Sequence, residues 1–325
     1  MPPIEQLHAF EQIKLLADKR RLTILRHLMA APASLTQLGQ ALGEHPAWIR
    51  HHLKQLERAG LVEMVETRVT SGVVEKFYRA RADGFLLQEL VLPENSAHPT
   101  VVFSGSHDLA VELLVQQVSA HLNVLTLPIG SLDGLATLRQ GLCSFSGAHL
   151  LDSSGEYNVP FVRYFFPDRT MLMITLAHLE QGLIVSPGNP IQVRGLCDLA
   201  RPGVVFVNRQ KGSGTRLWLD RELGRLGIPT DRIRGYEREV RLHTECARLV
   251  QSGEADVAVG LRAAAYQAGL DFIPLFRERY DLIIPQEQEP LLMPVLERLQ
   301  TSAFRQSAEN LQGYETAHTG EQILL

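Results

Sequence analysis

Residues 203–227 read "GVVFVNRQKGSGTRLWLDRELGRLG", in which an apolar run is followed by a loop of glycine and hydroxyl residues and then by a leucine-rich segment. The apolar run predicts a buried strand, and the spacing of the leucines predicts a helix. A loop at such a junction brings the free N–H groups of a helix N-terminus to the carboxyl end of a strand, where they attract anions. We therefore predict an anion-binding loop at residues 208–216. The loop lacks the GK[ST] ending of a nucleotide-binding P-loop, so it does not predict nucleotide hydrolysis.

The same alternation of patterns extends along most of the chain. From Thr100 onward, apolar runs of strand length alternate with segments of helical periodicity, which is typical of a mainly parallel α/β fold. The predicted strands include residues 100–103, 123–129, 170–177, 182–186, 203–208 and 271–285. Similar loops follow two of them, at residues 104–107 and 130–131. One such loop is more often an ordinary helix cap, but three at strand–helix junctions predict a shared site for a small oxyanion or carboxylate.

Residues 46–61, "PAWIRHHLKQLERAGL", predict a helix with one apolar and one polar face. Pro46 suits the first helical position, and Ile49, Leu53 and Leu56 recur at the spacing of an apolar stripe. The polar face is either a solvated surface or a surface that contacts DNA.

Two helices are predicted before this one and a hairpin after it. Residues 13–30 contain a helix that Asp18 caps, and residues 34–43 contain a second that Ser34 or Thr36 caps. Alternating runs on either side of the turn "TSG" at residues 70–72 predict the hairpin. Three helices and a hairpin describe a winged helix-turn-helix, with the helix at 46–59 in the major groove of DNA.

Charge and composition agree with this division. Residues 1–85 carry a formal charge of +3, whereas the whole chain carries −4, so the N-terminal part suits a polyanionic partner. The 325 residues, with 45% hydrophobic and 21% charged side chains, predict two or three globular units.

Three cysteines far apart in the sequence predict buried thiols in a reducing compartment, and neither a disulfide framework nor a CxxC metal site. No secretory leader or membrane-length apolar run is visible, so we expect a cytoplasmic protein.

The prolines and polar residues of "LPENSAHPT", residues 92–100, indicate a boundary. We predict a DNA-binding domain at 1–85, a linker at 86–99 and an effector domain at 100–325. A short connecting helix is predicted at 83–91, where the first domain meets the linker. Amphipathic patterns at 290–314 suit packing on the core better than packing on a partner subunit.

Residues 10–82 resemble the ArsR-type winged-helix repressors. The resemblance rests on Leu16-Ala17-Asp18, Arg21, Ile24-Leu25 and Leu28, and on His52-Leu53-Lys54, Leu56 and Ala59-Gly60-Leu61-Val62. It implies a DNA-contacting face made of Ala47, Trp48, Arg50, His51 and Lys54, with Arg68 and Lys76 of the wing on phosphates. Trp48 stands where a small residue is usual, and either contacts a thymine methyl group or packs within the protein. The metal-binding cysteine pair of that family is absent, so metal sensing is not expected.

Residues 100–288 look like the periplasmic-binding-protein-like domain of bacterial regulators and molybdopterin-biosynthesis proteins, as the segments "FSGSHDLAVELL", "NRQKGSGTR", "GYERE" and "VQSGEADVAVG" indicate. The fold is similar to the two-lobed molybdate and tungstate receptors of ABC transporters. The resemblance implies a type II binding fold that closes on a ligand between its lobes, with molybdate or tungstate as the first expectation.

The resemblance carries the ligand-binding role to particular residues. They are Ser104, Gly105, Ser106, Ser131, Gly212, Ser213, Gly214 and Thr215, with His107, His149, Asn189, Arg216, Tyr236, Glu237 and His243 as weaker candidates. Arg216 discriminates between ligands, because a guanidinium that lines the pocket favours an organic carboxylate or phosphate over molybdate.

These patterns together predict a bacterial one-component transcription regulator that binds double-stranded DNA as a homodimer and senses a small anion. No catalytic residues, metal ligands or cofactor are predicted. Two alternatives are an enzyme of molybdenum-cofactor metabolism, for which no nucleophile–base pair stands out in the sequence, and a solute receptor, which would need export.

Overall fold

A computed structural model divides the chain between Val91 and Leu92, into an N-terminal unit, Met1–Val91, and a C-terminal unit, Leu92–Leu325. The structure describes residues 4–7, 9–70, 73–87, 90–93 and 97–325. The division lies within the segment 86–99 that the sequence suggests as a linker. The exact domain boundaries stay a prediction.

The described elements of the N-terminal unit include the three predicted helices and the hairpin in the predicted order, together with a further helix and three short strands that were not predicted. They are β1 (Glu5–Leu7), α1 (Phe10–Leu16), α2 (Lys19–Ala30), β2 (Ala33–Ser34), α3 (Leu35–Leu42), α4 (Pro46–Arg58), β3 (Val62–Thr70), β4 (Val73–Ala80) and β5 (Phe85–Leu87). Asp18 caps α2 by accepting the N–H of Arg20 at 2.8 Å, and Ser34 caps α3 in a reciprocal capping box with Gln37. Both predicted caps are confirmed.

The apolar stripe of α4 forms the core of this unit. Ile49, Leu53 and Leu56 are buried in one cluster with Leu25 and Leu28 of α2. Because the stripe is fixed against the core, the opposite face of α4 is left to solvent.

The hairpin is confirmed, and the connecting helix within 83–91 is wrong. β3 and β4 pair antiparallel, while residues 71–72 of the predicted turn lie outside the described residues. Phe85–Leu87 form a strand that pairs in parallel with Glu5–Leu7. The partner strand lies almost eighty residues away in sequence, so the local apolar pattern could not reveal it.

The C-terminal unit alternates strands and helices. Its elements are β6 (Thr100–Gly105), α5 (Leu109–Val118), β7 (Asn123–Pro128), α6 (Ser131–Arg139), β8 (Phe145–Ala148), α7 (Val159–Phe165), β9 (Met171–Val185), β10 (Phe206–Arg209), α8 (Gly214–Arg225), β11 (Glu239–Val240), α9 (His243–Gln251), β12 (Val257–Leu261), α10 (Arg262–Gln267), β13 (Asp271–Pro285), α11 (Met293–Gln300), α12 (Ser302–Glu309), β14 (Tyr314–Glu315) and β15 (Gln322–Leu324).

One sheet joins these strands in the order β11-β10-β12-β9-β13-β8-β6-β7. We call β6, β7 and β8 with their helices the first lobe, and β10, β11 and β12 with theirs the second lobe. Pairing is parallel within each lobe. Between the lobes run β9 and β13, the central strands, each of 15 residues and antiparallel to each other. The predicted parallel sheet is therefore correct for the lobes and wrong for the centre.

The two strands predicted at 170–177 and 182–186 are one strand, β9. The polar residues between the two apolar runs, including Glu180 and Gln181, look like a loop in the sequence. In the structure they pair with β13, where Gln181 is opposite Phe276, next to a register shift between Pro274 and Phe276. Their side chains have partners that come from distant segments, so the strand does not break.

The C-terminal amphipathic segments pack on the core, as predicted. Leu296 and Leu299 of α11 and Phe304 of α12 belong to the same buried cluster as the helix α5. Of the three cysteines, Cys143 and Cys246 are buried and Cys197 is exposed, so the prediction of buried thiols fails for Cys197.

Within the described part of the chain, no helix is long and apolar enough to cross a lipid bilayer.

Candidate functional site

The first candidate surface is the polar face of α4. Arg50, His51 and Lys54 are exposed along it, as is Ala47 in its first turn. Trp48 is half-buried: its ring packs edge-on against His52 with the centroids 4.4 Å apart. This placement favours packing within the protein, one of the two roles left open for Trp48.

A groove of about 550 Å³ runs between α3, α4 and the hairpin. Arg50, Lys54 and Lys76 all line it, together with Glu57 and Glu75. Three of the cations assigned to DNA from the sequence are therefore brought to one concave surface.

Arg68 of the hairpin is exposed but already paired. Its Nε and Nη2 each donate to the Glu66 carboxylate at 2.7 Å, and its guanidinium lies 4.4 Å from the ring centroid of Phe77. This exposed pair raises the pKa of Arg68 and lowers the pKa of Glu66. A phosphate would have to compete with Glu66 for this guanidinium.

The second candidate site is a chain of buried hydrogen bonds between the two lobes of the C-terminal unit. His149 Nε2 lies 2.8 Å from Ser106 Oγ, and His149 Nδ1 lies 2.8 Å from Glu278 Oε2. Gln181 Nε2 donates to Glu278 Oε1 at 2.7 Å and to Thr215 Oγ1 at 3.3 Å. We call these five residues the interlobe cluster. Ser106 and His149 belong to the first lobe, Gln181 and Glu278 to the central strands, and Thr215 to the second lobe.

The lobes contact each other directly around this cluster. The N–H of His243 donates to His107 Nδ1 at 3.1 Å, and the N–H of Leu132 donates to the carbonyl oxygen of Gly212 at 3.3 Å. Gly214 lies so close to His149 that a Cβ atom would overlap the carbonyl oxygen and ring of His149. The cleft is closed in this structure.

Arg209, at the carboxyl end of β10, is the unexpected member of this region. Only 1% of it is exposed, and its Nε, Nη1 and Nη2 have no hydrogen-bond partner among the described residues. Burial lowers its pKa, while Cys246 and Glu278 favour its charged form. The Cys246 thiol lies beside the guanidinium without the geometry of a hydrogen bond.

The groups around Arg209 are mostly uncharged. Burial and the positive charge of Arg209 hold the pKa of His243 well below its ordinary value, so this imidazole is neutral at pH 7. Burial raises the pKa of Cys246 to about 11, so its thiol stays protonated. His243 Nδ1 and Gln181 Oε1 are further buried polar atoms that lack a partner among the described residues.

Some of the ligand-binding residues predicted from the sequence come together here. Ser106 and Thr215 are in the interlobe cluster, and Ser131 Oγ accepts the N–H of His149 at 3.3 Å. His107, Gly212 and Gly214 make the contacts between lobes described above. His149 and His243, two of the weaker candidates, lie in the same region.

Other residues that were predicted to bind the ligand make contacts within the fold. Ser104 Oγ is buried near the Cys143 thiol and has no hydrogen-bond partner among the described residues, and Gly105 allows close contact with the backbone of Gly147. Ser213 caps α8 by accepting the N–H of Arg216 at 3.3 Å. Asn189 closes a turn, since its side chain bonds both backbone polar groups of Val193.

Arg216 does not offer a free guanidinium. Its Nε donates to Asp220 at 2.8 Å, its Nη1 donates to Glu239 at 3.0 Å, and it lies 4.3 Å from the ring centroid of Tyr236. Tyr236 in turn donates to Asp220 at 2.6 Å. Another weaker candidate, Glu237, pairs with Lys211.

Gln181 and Glu278 were not among the residues predicted from the sequence, and Arg209 lies in the predicted loop 208–216 but was not assigned a role of its own. Arg209 had a visible signal, because it is a charged residue at the end of an apolar strand, where ligands bind in α/β folds. Gln181 and Glu278 had none, since long antiparallel strands bring them together. No group of three or more His, Cys, Asp or Glu side chains in the described residues could hold a metal ion.

Two family models match the chain. The model described as a PBP superfamily domain matches residues 113–300, and the model described as a helix-turn-helix domain matches residues 16–65. The predicted fold class, helix-turn-helix helices followed by a two-lobed α/β unit of the periplasmic-binding-protein type, is confirmed.

Relatives and similar structures were also found. The uncharacterized protein YvgK of Bacillus subtilis (strain 168) is 36% identical over 234 residues, which are 71% of this chain and 76% of that protein. A Clostridium pasteurianum protein, described as uncharacterized and in the 5′ region of a ferredoxin 2Fe-2S gene, is 36% identical over 106 residues, 32% of this chain and 94% of its own length.

Among solved structures, the sulfate-binding protein SubI from Mycobacterium tuberculosis H37Rv matches with a TM-score of 0.49 and 13% identity, over 67% of this chain and 86% of that one. An ABC-type phosphate transport receptor from Vibrio cholerae matches with a TM-score of 0.40 and 16% identity, over 66% of this chain and 98% of that one.

Proposed function

Because this chain belongs to the PBP superfamily domain family and carries a helix-turn-helix domain in the same polypeptide, we propose that it is a transcription regulator that senses a small anion. The observation that carries the proposal is the pairing of two features in one chain. One is a groove lined by Arg50, Lys54 and Lys76, and the other is a buried polar cluster between two lobes.

The N-terminal unit is proposed to bind DNA in the manner of an ArsR-type repressor. The proposed domains are a DNA-binding domain at 1–85, a linker at 86–99 and an effector domain at 100–325. The helix α4 enters the major groove, with Arg50, His51 and Lys54 on bases or phosphates and Lys76 on a phosphate. A homodimer on a two-fold operator would double the contact area, since one small module rarely binds tightly enough. We expect the protein to act in the cytoplasm, where it meets DNA.

The C-terminal unit is proposed to bind the effector between its lobes. Molybdate and tungstate are the first ligands to test, because Ser106, Ser131 and Thr215 bring hydroxyl groups to one buried region. An organic carboxylate or phosphate is the alternative. Arg216, which would have favoured the alternative, is occupied by Asp220 and Glu239.

A second candidate function rests on the order Ser106–His149–Glu278. A serine, a histidine and a carboxylate at successive 2.8 Å distances have the arrangement of a hydrolase triad. Two observations favour binding over hydrolysis: all three side chains are buried, and the N–H of Ser106 already donates to the carbonyl oxygen of Gly147. Hydrolysis of a generic ester that is lost in Ser106→Ala would reverse this preference.

DNA binding is tested by replacing the two cations that α4 contributes to the groove. Arg50→Ala combined with Lys54→Ala should weaken binding to the promoter of the protein's own gene about 10- to 100-fold and lower the salt dependence by roughly two counterions. Fluorescence anisotropy at several salt concentrations measures both quantities. Arg26→Ala is the control, because Arg26 is an exposed cation on α2 that does not line the groove, and it should bind as the wild type does. Undiminished binding by the double variant would mean that α4 is not the DNA-contacting helix.

A further inference from the structure

Arg209 is the last residue of β10, and Arg216 lies in the first turn of α8. The charge of Arg216 is paired within the chain, and that of Arg209 is not. Both side chains are almost entirely buried. Arg216 has two carboxylates and an aromatic ring as partners, as described above. The three nitrogens of Arg209 have no hydrogen-bond partner among the described residues.

A buried guanidinium without partners is costly. Leaving a charge desolvated and unpaired destabilises a folded protein, so such groups normally meet a counter-charge or a ligand. Arg216 shows that this chain pairs an arginine where the charge serves the fold. We therefore expect the partner of Arg209 to be a ligand and not a residue of this chain.

The side chains nearest to Arg209 do not supply that partner. The thiol of Cys246 and the imidazole of His243 are uncharged, and Glu278 already accepts from His149 and Gln181. Glu278 and Glu245 both attract the Arg209 guanidinium, but among the described residues no ion pair within 4.0 Å joins either carboxylate to it.

The position of Arg209 is that of a ligand-binding residue. It is the last residue of β10, next to the loop that leads to α8, and β10 pairs in parallel with both its neighbours. The carboxyl ends of parallel strands are where α/β folds hold ligands. The loop that follows Arg209 leads to Gly214, which lies against His149, and to Thr215, which accepts from Gln181, so the end of β10 adjoins the interlobe cluster.

We propose that the guanidinium of Arg209 binds the sensed anion directly, donating to at least two of its oxygen atoms. The inference rests on the proposed function and assigns the contact with the anion to one residue. The ligand is then an anion with two or more oxygens that match a planar fork, either a tetrahedral oxyanion or a carboxylate. A halide or another single-atom anion does not belong to this class.

Isothermal titration and thermal shift of the full-length protein test this inference. The probes are sodium molybdate, tungstate, sulfate, phosphate, formate and acetate, with sodium chloride as the single-atom control. At least one oxygen-bearing anion should stabilise the wild type. Arg209→Met, which keeps the length of the side chain and removes the fork, should lose affinity for that anion about 100-fold or more.

Two further variants keep the test decisive. Arg209→Lys retains the charge and loses the planar fork, so its affinity for the anion should fall about tenfold. This variant replaces Arg209→Met in the comparison if Arg209→Met does not fold. Arg216→Lys makes the same exchange at the paired arginine and should keep its affinity within about threefold of the wild type, because Arg216 serves the fold.

The outcomes separate the two proposals. Unchanged anion affinity in Arg209→Met and Arg209→Lys overturns the role of Arg209 and leaves anion sensing in place. A wild type that no oxygen-bearing anion stabilises overturns both the role of Arg209 and the proposed sensing.

Discussion

The imidazole of His243 shows how the buried site constrains a single residue. The backbone N–H of His243 donates to His107 Nδ1, while the side chain of His243 is 1% exposed and lacks a partner at Nδ1 among the described residues. Arg209, His107 and His149 face it, and each of them lowers its pKa, after burial as the largest cause. The folded protein therefore keeps this imidazole neutral, whereas the unfolded chain can protonate it.

A pH dependence of stability follows. A histidine whose pKa is depressed by folding stabilises the protein at pH values above its unfolded pKa, and that stability is lost as the pH falls below about 6.5. The free energy of unfolding should then fall by about 1.4 kcal/mol per pH unit from this residue.

Denaturant unfolding at pH values from 8 to 5 measures this loss, and His243→Asn should flatten it. His318→Asn is the control, because His318 is exposed and pairs with Glu321, which raises its pKa. An equal slope in the wild type and in His243→Asn would contradict the burial of a neutral imidazole.

At the scale of elements, the N-terminus of α8 contributes to the contact between the lobes through its close packing as well as through its hydrogen bonds. Gly214 is the first residue of α8, and its Cα lies against the backbone and ring of His149 in the other lobe. A backbone contact of this kind cannot be relieved by rotating a side chain. The closed arrangement of the two lobes therefore depends on a residue without a Cβ atom.

Gly214→Ala should hold the lobes apart. We expect the variant to bind DNA with wild-type affinity and to lose most of the stabilisation that the anion gives, as measured by thermal shift. Gly224→Ala is the matched control in the same helix, because in the described part of the chain no atom lies within 4 Å of the added methyl group. That control should be neutral or slightly stabilising. Full anion-induced stabilisation in Gly214→Ala would show that ligand binding does not require this contact.

The sequence predicted elements where the signal was local. Residues close in sequence predicted the helix caps at Asp18 and Ser34, the apolar stripe of α4 and the strand–helix units of both lobes. It failed where partners are distant: β5 pairs with β1, and the polar middle of β9 is held by β13. The site shows the same division, since Ser106 and Thr215 were found from their loops, while Gln181 and Glu278 required the pairing of the central strands. Of the two arginines, the sequence favoured Arg216. The pairing of Arg216 with Asp220, four residues later in α8, has a local signal, whereas its pairing with the distant Glu239 has none.

At the scale of the molecule, the proposed regulation is a coupling between two ligands of one chain. An anion can alter DNA binding only if it binds the DNA-competent and DNA-incompetent forms with different affinities. The two lobes offer the means, since residues of both lobes and of the central strands meet in the interlobe cluster. Coupling energies of this kind are typically about 1–3 kcal/mol, which corresponds to a change in affinity of roughly 5- to 150-fold.

The most direct test is a DNA-binding titration of the wild type by fluorescence anisotropy, at fixed salt, without and with a saturating amount of the anion that stabilises it. A change in DNA affinity of about fivefold or more, absent in Arg209→Met, is the predicted result. Equal DNA affinity in the two titrations, with anion binding confirmed in the same samples, would contradict the claim that this protein is an anion-responsive regulator.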